Sequence, residues 1–137
     1  MNTILFSHET RVRIDDINFG NHLCHTKFIN IIHNARANYL KSIKMTEADC
    51  FGFGLIVLNL NISYLSQCFF DDHLTTALSL DGLEKASFSF IYEIYNHTSN
   101  KIAAKAISTL AFMDLNKNKL QRIPNEFIKL VNQPSRM

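Results

Sequence analysis

The sequence predicts an α+β fold: one long helix lying against a curved antiparallel sheet of about five strands. Three observations carry this. Phe28, Ile31, Ile32, Ala35 and Tyr39 recur at i, i+3, i+4, i+7 and i+11, one face of a helix, and no other long segment does so. Four later segments alternate apolar and polar residues with a period of two. Prolines stand only at 124 and 134, so nothing punctuates the body of the chain. At 137 residues the chain is expected to be one domain, 1–137, long enough to bury a core without staples.

In order, Thr3–Ile14 reads as a strand running into the polar turn Asp15–Asn21. The helix is expected from Thr26, a plausible N-cap, to Ile43, with Lys41 and Lys44 suiting its negative end. After Gly52 and Gly54, the residues Ile56, Leu58, Leu60, Ile62 and Tyr64 point one way, and Val57, Asn59, Asn61 and Ser63 the other. Leu74, Thr76, Leu78 and Leu80 repeat the alternation and stop at Asp81-Gly82, a hairpin signal. Phe88 to Ile94 and Ile102 to Phe112 form two more such faces, the last with small residues that admit a closely packed helix. Pro124 suits the first turn of a final helix reaching Val131. One helix covers one face of the sheet. Val57, Ile91, Tyr95, Ile107 and Met113 remain on the other, so partner subunits are expected.

Composition excludes several classes. Apolar residues make up 47%, against disorder and collagen. A net charge of +2, scattered along the chain, gives no nucleic-acid footprint. The longest apolar run, Phe51 to Leu58, is far short of the roughly 20 residues a membrane helix needs, and Met1 to Phe6 lack the basic and apolar regions of a signal peptide. Cys24, Cys50 and Cys68 are odd in number with no close pair, which fits a reducing compartment. A cytoplasmic protein is expected, without nucleic-acid or membrane partners.

The densest polar cluster is Asp15 to His22, just before the helix. One reading is an Asx-rich turn that reverses the chain and caps the helix. The other brings Asp16, Asn18 and His22 together at a helix N-terminus, where a carbonyl is polarised while a side chain orients water. His22, Cys24, His25 and His33 lack a second cluster at metal-ligand spacing, so no metal is expected, and His33 reads as half-buried and hydrogen-bonded. Cys24, near the helix start and beside His22 and His25, is a candidate nucleophile, although free cysteines are more often small buried hydrophobes. No GxSxG, Walker loop or GxGxxG is present, and Gly52-Phe53-Gly54 precedes a strand instead of a helix.

The run Val12-Arg13-Ile14-Asp15-Asp16-Ile17-Asn18-Phe19-Gly20-Asn21-His22-Leu23 resembles the opening signature of hotdog-fold acyl-CoA thioesterases of the 4-hydroxybenzoyl-CoA thioesterase-like family. That pattern reads roughly V-R-[YF]-x-D-x-D-x-x-G-H-[VL]-x-N, followed by a helix with an acidic residue, Ala and Arg. Here the helix reads His33-Asn34-Ala35-Arg36. Tyr64-Leu65-Ser66 through Asp72-His73-Leu74, Ile102-Ala103 through Met113-Asp114, and Ile123-Pro124 resemble the later family stretches, so nearly the whole chain is covered. The family's second signature Asp, its usual nucleophile or base, aligns with Asn18, which takes no proton. Its glycine before His aligns with Asn21, the glycine standing instead at Gly20. Its acidic helix residue aligns with Asn34.

The resemblance implies the hotdog fold, dimers and often tetramers, no cofactor, and hydrolysis of an acyl-CoA or acyl-carrier thioester. In that reading Asn18 and His22 position water or bind the carbonyl, and Asp16 orients His22 or serves as base. The N–H of Gly54, or less well Gly52, donates to the thioester oxygen, a contact that elsewhere contributes about 3 kcal/mol. Other readings are a hotdog protein that binds acyl-CoA or an acyl carrier without catalysis, and a hotdog dehydratase, whose N-P-x-x-H element is absent.

Overall fold

The computed structural model describes residues 3–132. Six strands and two helices follow in the order β1 (Ile4–Arg11), α1 (His25–Ser42), β2 (Gly54–Tyr64), β3 (His73–Leu83), β4 (Phe88–Asn96), β5 (Lys101–Asp114), β6 (Lys119–Gln121) and α2 (Asn125–Val131). The sheet is antiparallel in the order β1-β3-β4-β5-β2, and β6 pairs with the end of β5. A long helix on a curved antiparallel sheet is the layered architecture expected from the periodicities.

Helix α1 buries Phe28, Ile32, Ala35, Arg36, Tyr39 and Leu40, the face read from the sequence with its neighbours at positions 36 and 40. Tyr39 meets Phe90 edge-on with ring centroids 5.9 Å apart, and Phe28 meets Tyr64 at 5.3 Å. Below them Phe88, Phe112 and Phe127 form an aromatic cluster under α2. Each such ring contributes roughly 1.5–3 kcal/mol by burial alone.

Several boundaries differ from expectation for local reasons. Cys24, not Thr26, is the N-cap of α1. Its N–H donates to the Asp16 carbonyl at 3.0 Å, its carbonyl accepts from Lys27 at 2.9 Å, and the Thr26 hydroxyl is engaged by the Cys24 thiol at 3.2 Å. β1 ends at Arg11 because Val12 already donates to the Asp72 carbonyl. Asp81-Gly82 is not the hairpin turn: β3 runs on to Leu83 with a bulge at Leu80/Gly82, and the turn is closed by Glu84 N–H donating to Ser87. A bulge between Val57 and Asn59 breaks the alternation of β2, so Leu55 is buried and Leu58 is 50% exposed. The sixth strand, β6, is three residues long and leaves no periodic signal. Pro124 is the N-cap of α2, one residue before its first turn.

On the uncovered sheet face Ile107 is exposed, while Ile91, Tyr95 and Met113 are half-buried. Val57, expected there, instead lies opposite the buried Leu110 because of the bulge, and is exposed at the sheet edge. His33 is exposed, not half-buried, and bonds Glu47 at 2.7 Å. Glu47 in turn lies 3.6 Å from the buried Arg36, whose guanidinium donates to Tyr92 Oη at 3.2 Å. Among the described residues no helix is long and apolar enough to cross a membrane.

Candidate active site

The loop between β1 and α1 is folded by its own backbone. Asn18 N–H donates to the His22 carbonyl at 3.1 Å, Asn21 N–H donates to the Asn18 carbonyl at 3.0 Å, and Ile17 bridges to Leu23. Asn21 sits at φ 64°, a left-handed conformation that asparagine tolerates well. The buried Leu23 pins the loop to the segment after β2 by donating its N–H to the Cys68 carbonyl at 2.8 Å.

This places Asn18 and His22 on one cavity of about 290 Å³, with His25 and Phe28 of α1 and Tyr64, Ser66 and Gln67 opposite. No Lys, Arg, Asp or Glu lines it among the described residues. The Asn18 side chain is oriented: Oδ1 accepts the Gly20 N–H at 2.9 Å, which leaves both Nδ2 protons free to donate. His22 Nδ1 lies 3.3 Å from the Leu23 carbonyl. A carbonyl only accepts, so this contact assigns the ring proton to Nδ1 and the lone pair to Nε2 in the neutral imidazole. Tyr64 Oη donates to the His25 carbonyl at 3.3 Å, and Ser66 Oγ donates to the Ile102 carbonyl at 2.9 Å, so both hydroxyls are committed as donors. One amide donor and one imidazole acceptor therefore share a largely apolar cavity at the positive end of an 18-residue helix.

The other expected site residues stand elsewhere. The Asp16 carboxylate accepts the Arg13 N–H at 2.9 Å and lines a separate concavity with Arg11, Arg13, Asn30 and Asn34. Gly54 opens β2 opposite Met113, where a Cβ would lie 2.9 Å from the Leu115 side chain. Gly52, at φ 89°, sits in the tight turn between the paired Cys50 and Phe53. Neither glycine lines the cavity. The sequence marks His25 only as a metal ligand or a partner of Cys24, Ser66 only as part of a family stretch, and Gln67 not at all. They reach the cavity through packing between α1 and the β2–β3 connection, which has no local signature.

The three cysteines are unpaired. Hydrogen bonding from Thr26, helped by Lys27, lowers the Cys24 thiol below its ordinary value of 9.0. Burial pushes Cys50 up to about 12 and Cys68 up to about 11.

Comparison with known proteins places these features. The profile of the thioesterase-like superfamily matches residues 12–131. The chain is 25% identical over 124 residues to the acyl-CoA thioesterase YbgC of Haemophilus influenzae, covering 88% of this chain and 90% of that one. Its fold matches a 1,4-dihydroxy-2-naphthoyl-CoA thioesterase from Synechocystis with a TM-score of 0.83 at 19% identity, over 92% and 94% of the two chains. It also matches an Asp-to-Asn variant of 4-hydroxybenzoyl-CoA thioesterase complexed with 4-hydroxybenzoyl-CoA, with a TM-score of 0.80 at 17% identity over 92% and 97%. A Staphylococcus aureus protein solved with CoA matches with a TM-score of 0.83 at 17% identity over 100% and 90%.

Proposed function

The chain belongs to the thioesterase-like superfamily and has the hotdog fold, and from that premise we propose that it hydrolyses an acyl-CoA thioester to CoA and a carboxylic acid. The observation that carries the reading is the pairing of Asn18 and His22 on one cavity, with the amide set to donate and Nε2 set to accept.

In this mechanism the thioester carbonyl lies against Asn18 Nδ2 near the N-terminus of α1. A water held by His22 Nε2 gives up its proton to the imidazole as its oxygen attacks the carbonyl carbon. The tetrahedral oxyanion is stabilised by the Asn18 N–H and the helix dipole. Collapse breaks the C–S bond, and the imidazolium returns its proton to the departing CoA thiolate. The mechanism uses neither Asp16, which holds the loop through Arg13, nor Gly54, which lies outside the cavity of one chain.

The assembly is proposed to be a homodimer or homotetramer. The exposed edge strand β2, with Val57 and Leu58 outward, and Ile107 on the open sheet face are surfaces a second copy would cover. A cytoplasmic location is part of the proposal, supported by three unpaired cysteines that fit a reducing compartment. A second reading, an acyl-CoA binder without turnover, draws on the amide at position 18. The related fold with Asn in place of Asp was solved with its acyl-CoA bound. A screen over short, long and aromatic acyl-CoAs, read by free CoA release, separates the two.

A further inference from the structure

Gly20 is exposed and has an ordinary backbone conformation, so no left-handed turn calls for glycine there. What its position accommodates only by displacing neighbours is a side chain. A Cβ on Gly20 would stand 3.1 Å from Asn18 Oδ1, 3.1 Å from His22 Nε2 and 3.3 Å from His22 Cδ2. Those separations are shorter than the ~3.5–4.0 Å optimum of non-bonded contacts. Both polar atoms therefore close on the same empty point, no farther from each other than twice that distance. Neither can yield freely. Asn18 Oδ1 is clamped by the Gly20 N–H at 2.9 Å, and the His22 ring is tied back to the Leu23 carbonyl.

We propose that Gly20 is a positioning residue of the active site: its missing side chain lets Asn18 and His22 converge, and its N–H turns the Asn18 amide so that Nδ2 faces the substrate carbonyl. This rests on the hydrolytic reading above and adds a residue that the reading does not use. A methyl group at position 20 either breaks the Asn18 clamp or rotates the imidazole. Either movement shifts the oxyanion donor relative to the water-holding nitrogen by a few tenths of an ångström, and rate is steep in such placement, a full ~1 Å costing up to roughly 100-fold.

The test measures kcat and KM by CoA release, thermal melting, and the His22 side-chain ¹⁵N shifts that report its tautomer. Gly20→Ala is expected to lower kcat by about 3- to 10-fold with KM within about twofold. It should alter the His22 tautomer signals and leave those of His33 and His73 in place. In an Asn18→Ala background the same substitution should cost much less, because one of the two groups it displaces is gone. Adding Asn21→Gly to Gly20→Ala should not restore turnover, since the missing Cβ matters and not backbone freedom. Unchanged kcat and His22 signals, an equal loss in both backgrounds, rescue by Asn21→Gly, or a lower melting temperature with kcat per folded molecule intact would each overturn the proposal. If the wild type releases no CoA from any thioester, the hydrolytic reading fails, and the His22 spectra alone decide whether Gly20 holds the pair in place.

Discussion

The backbone N–H of Asn18 donates to the carbonyl of His22 at 3.1 Å, and that bond closes the loop 18–22 so that both side chains face one cavity. The pair is prearranged by local backbone geometry just before α1 begins, with the buried Leu23 as its anchor. Each half of the pair has a separable role, and each can be removed without touching the core.

Asn18→Ala removes the carbonyl donor. Turnover is expected to fall by about 10²-fold, as for loss of one oxyanion donor. Stability should change by only about 1 kcal/mol, the net value of the lost Gly20 hydrogen bond. Asn18→Asp exchanges the donor for a carboxylate that can take a proton from water, and should be more active than Asn18→Ala. Steady-state kinetics beside thermal melting check this. Equal turnover in wild type and both variants would remove Asn18 from the site.

His22→Ala removes the water-holding nitrogen. Hydrolysis should drop by roughly 10²-fold or more, while calorimetric affinity for CoA stays close to that of wild type. Turnover that survives this change undiminished would mean the proton acceptor is another group.

The cysteines give a prediction in pH. Cys24 has its thiol lowered by Thr26, so iodoacetamide should label it first and at lower pH than an ordinary thiol. Cys50 and Cys68 are fully buried and should react only on unfolding. For Cys50, Cys68 and Tyr39 the folded state raises the pKa, to about 12, about 11 and about 12. Between the ordinary values of 9.0 and 10.0 and these raised ones, the unfolded chain binds fewer protons than the folded one. Their contribution is thus complete below about pH 9 and is lost as pH climbs toward 12. Urea midpoints measured from pH 8 to 11 should fall steadily, and a flat or rising profile would contradict the assignment.

The layer order and the helix were legible in the sequence because they rest on periodicity. Phe28, Ile32, Ala35 and Tyr39 mark one face whatever the loops do. The two bulges were not legible, because a single extra residue at Leu58 or Asp81 reverses the phase without any change of residue type. Asn18 and His22 were within reach because loop 18–22 brings them together locally. Asp16 looked equivalent to them in sequence, yet it is turned away by its bond to Arg13. Gln67 and Ser66 arrive from more than forty residues away, through contacts that only the folded chain specifies.

Sedimentation at micromolar concentration should give a dimer or larger assembly, driven by the exposed apolar residues of β2 and the open sheet face. A single 15.7 kDa species at every concentration would show that one chain suffices and that these surfaces stay open to water.

The most direct test of the account is the release of free CoA by the wild-type protein across short-chain, long-chain and aromatic acyl-CoAs, with His22→Ala run in parallel. Turnover above background is expected on at least one thioester, abolished to within a few per cent by His22→Ala. Binding of acyl-CoA with no CoA released from any member of the panel would contradict it and leave the protein a binder.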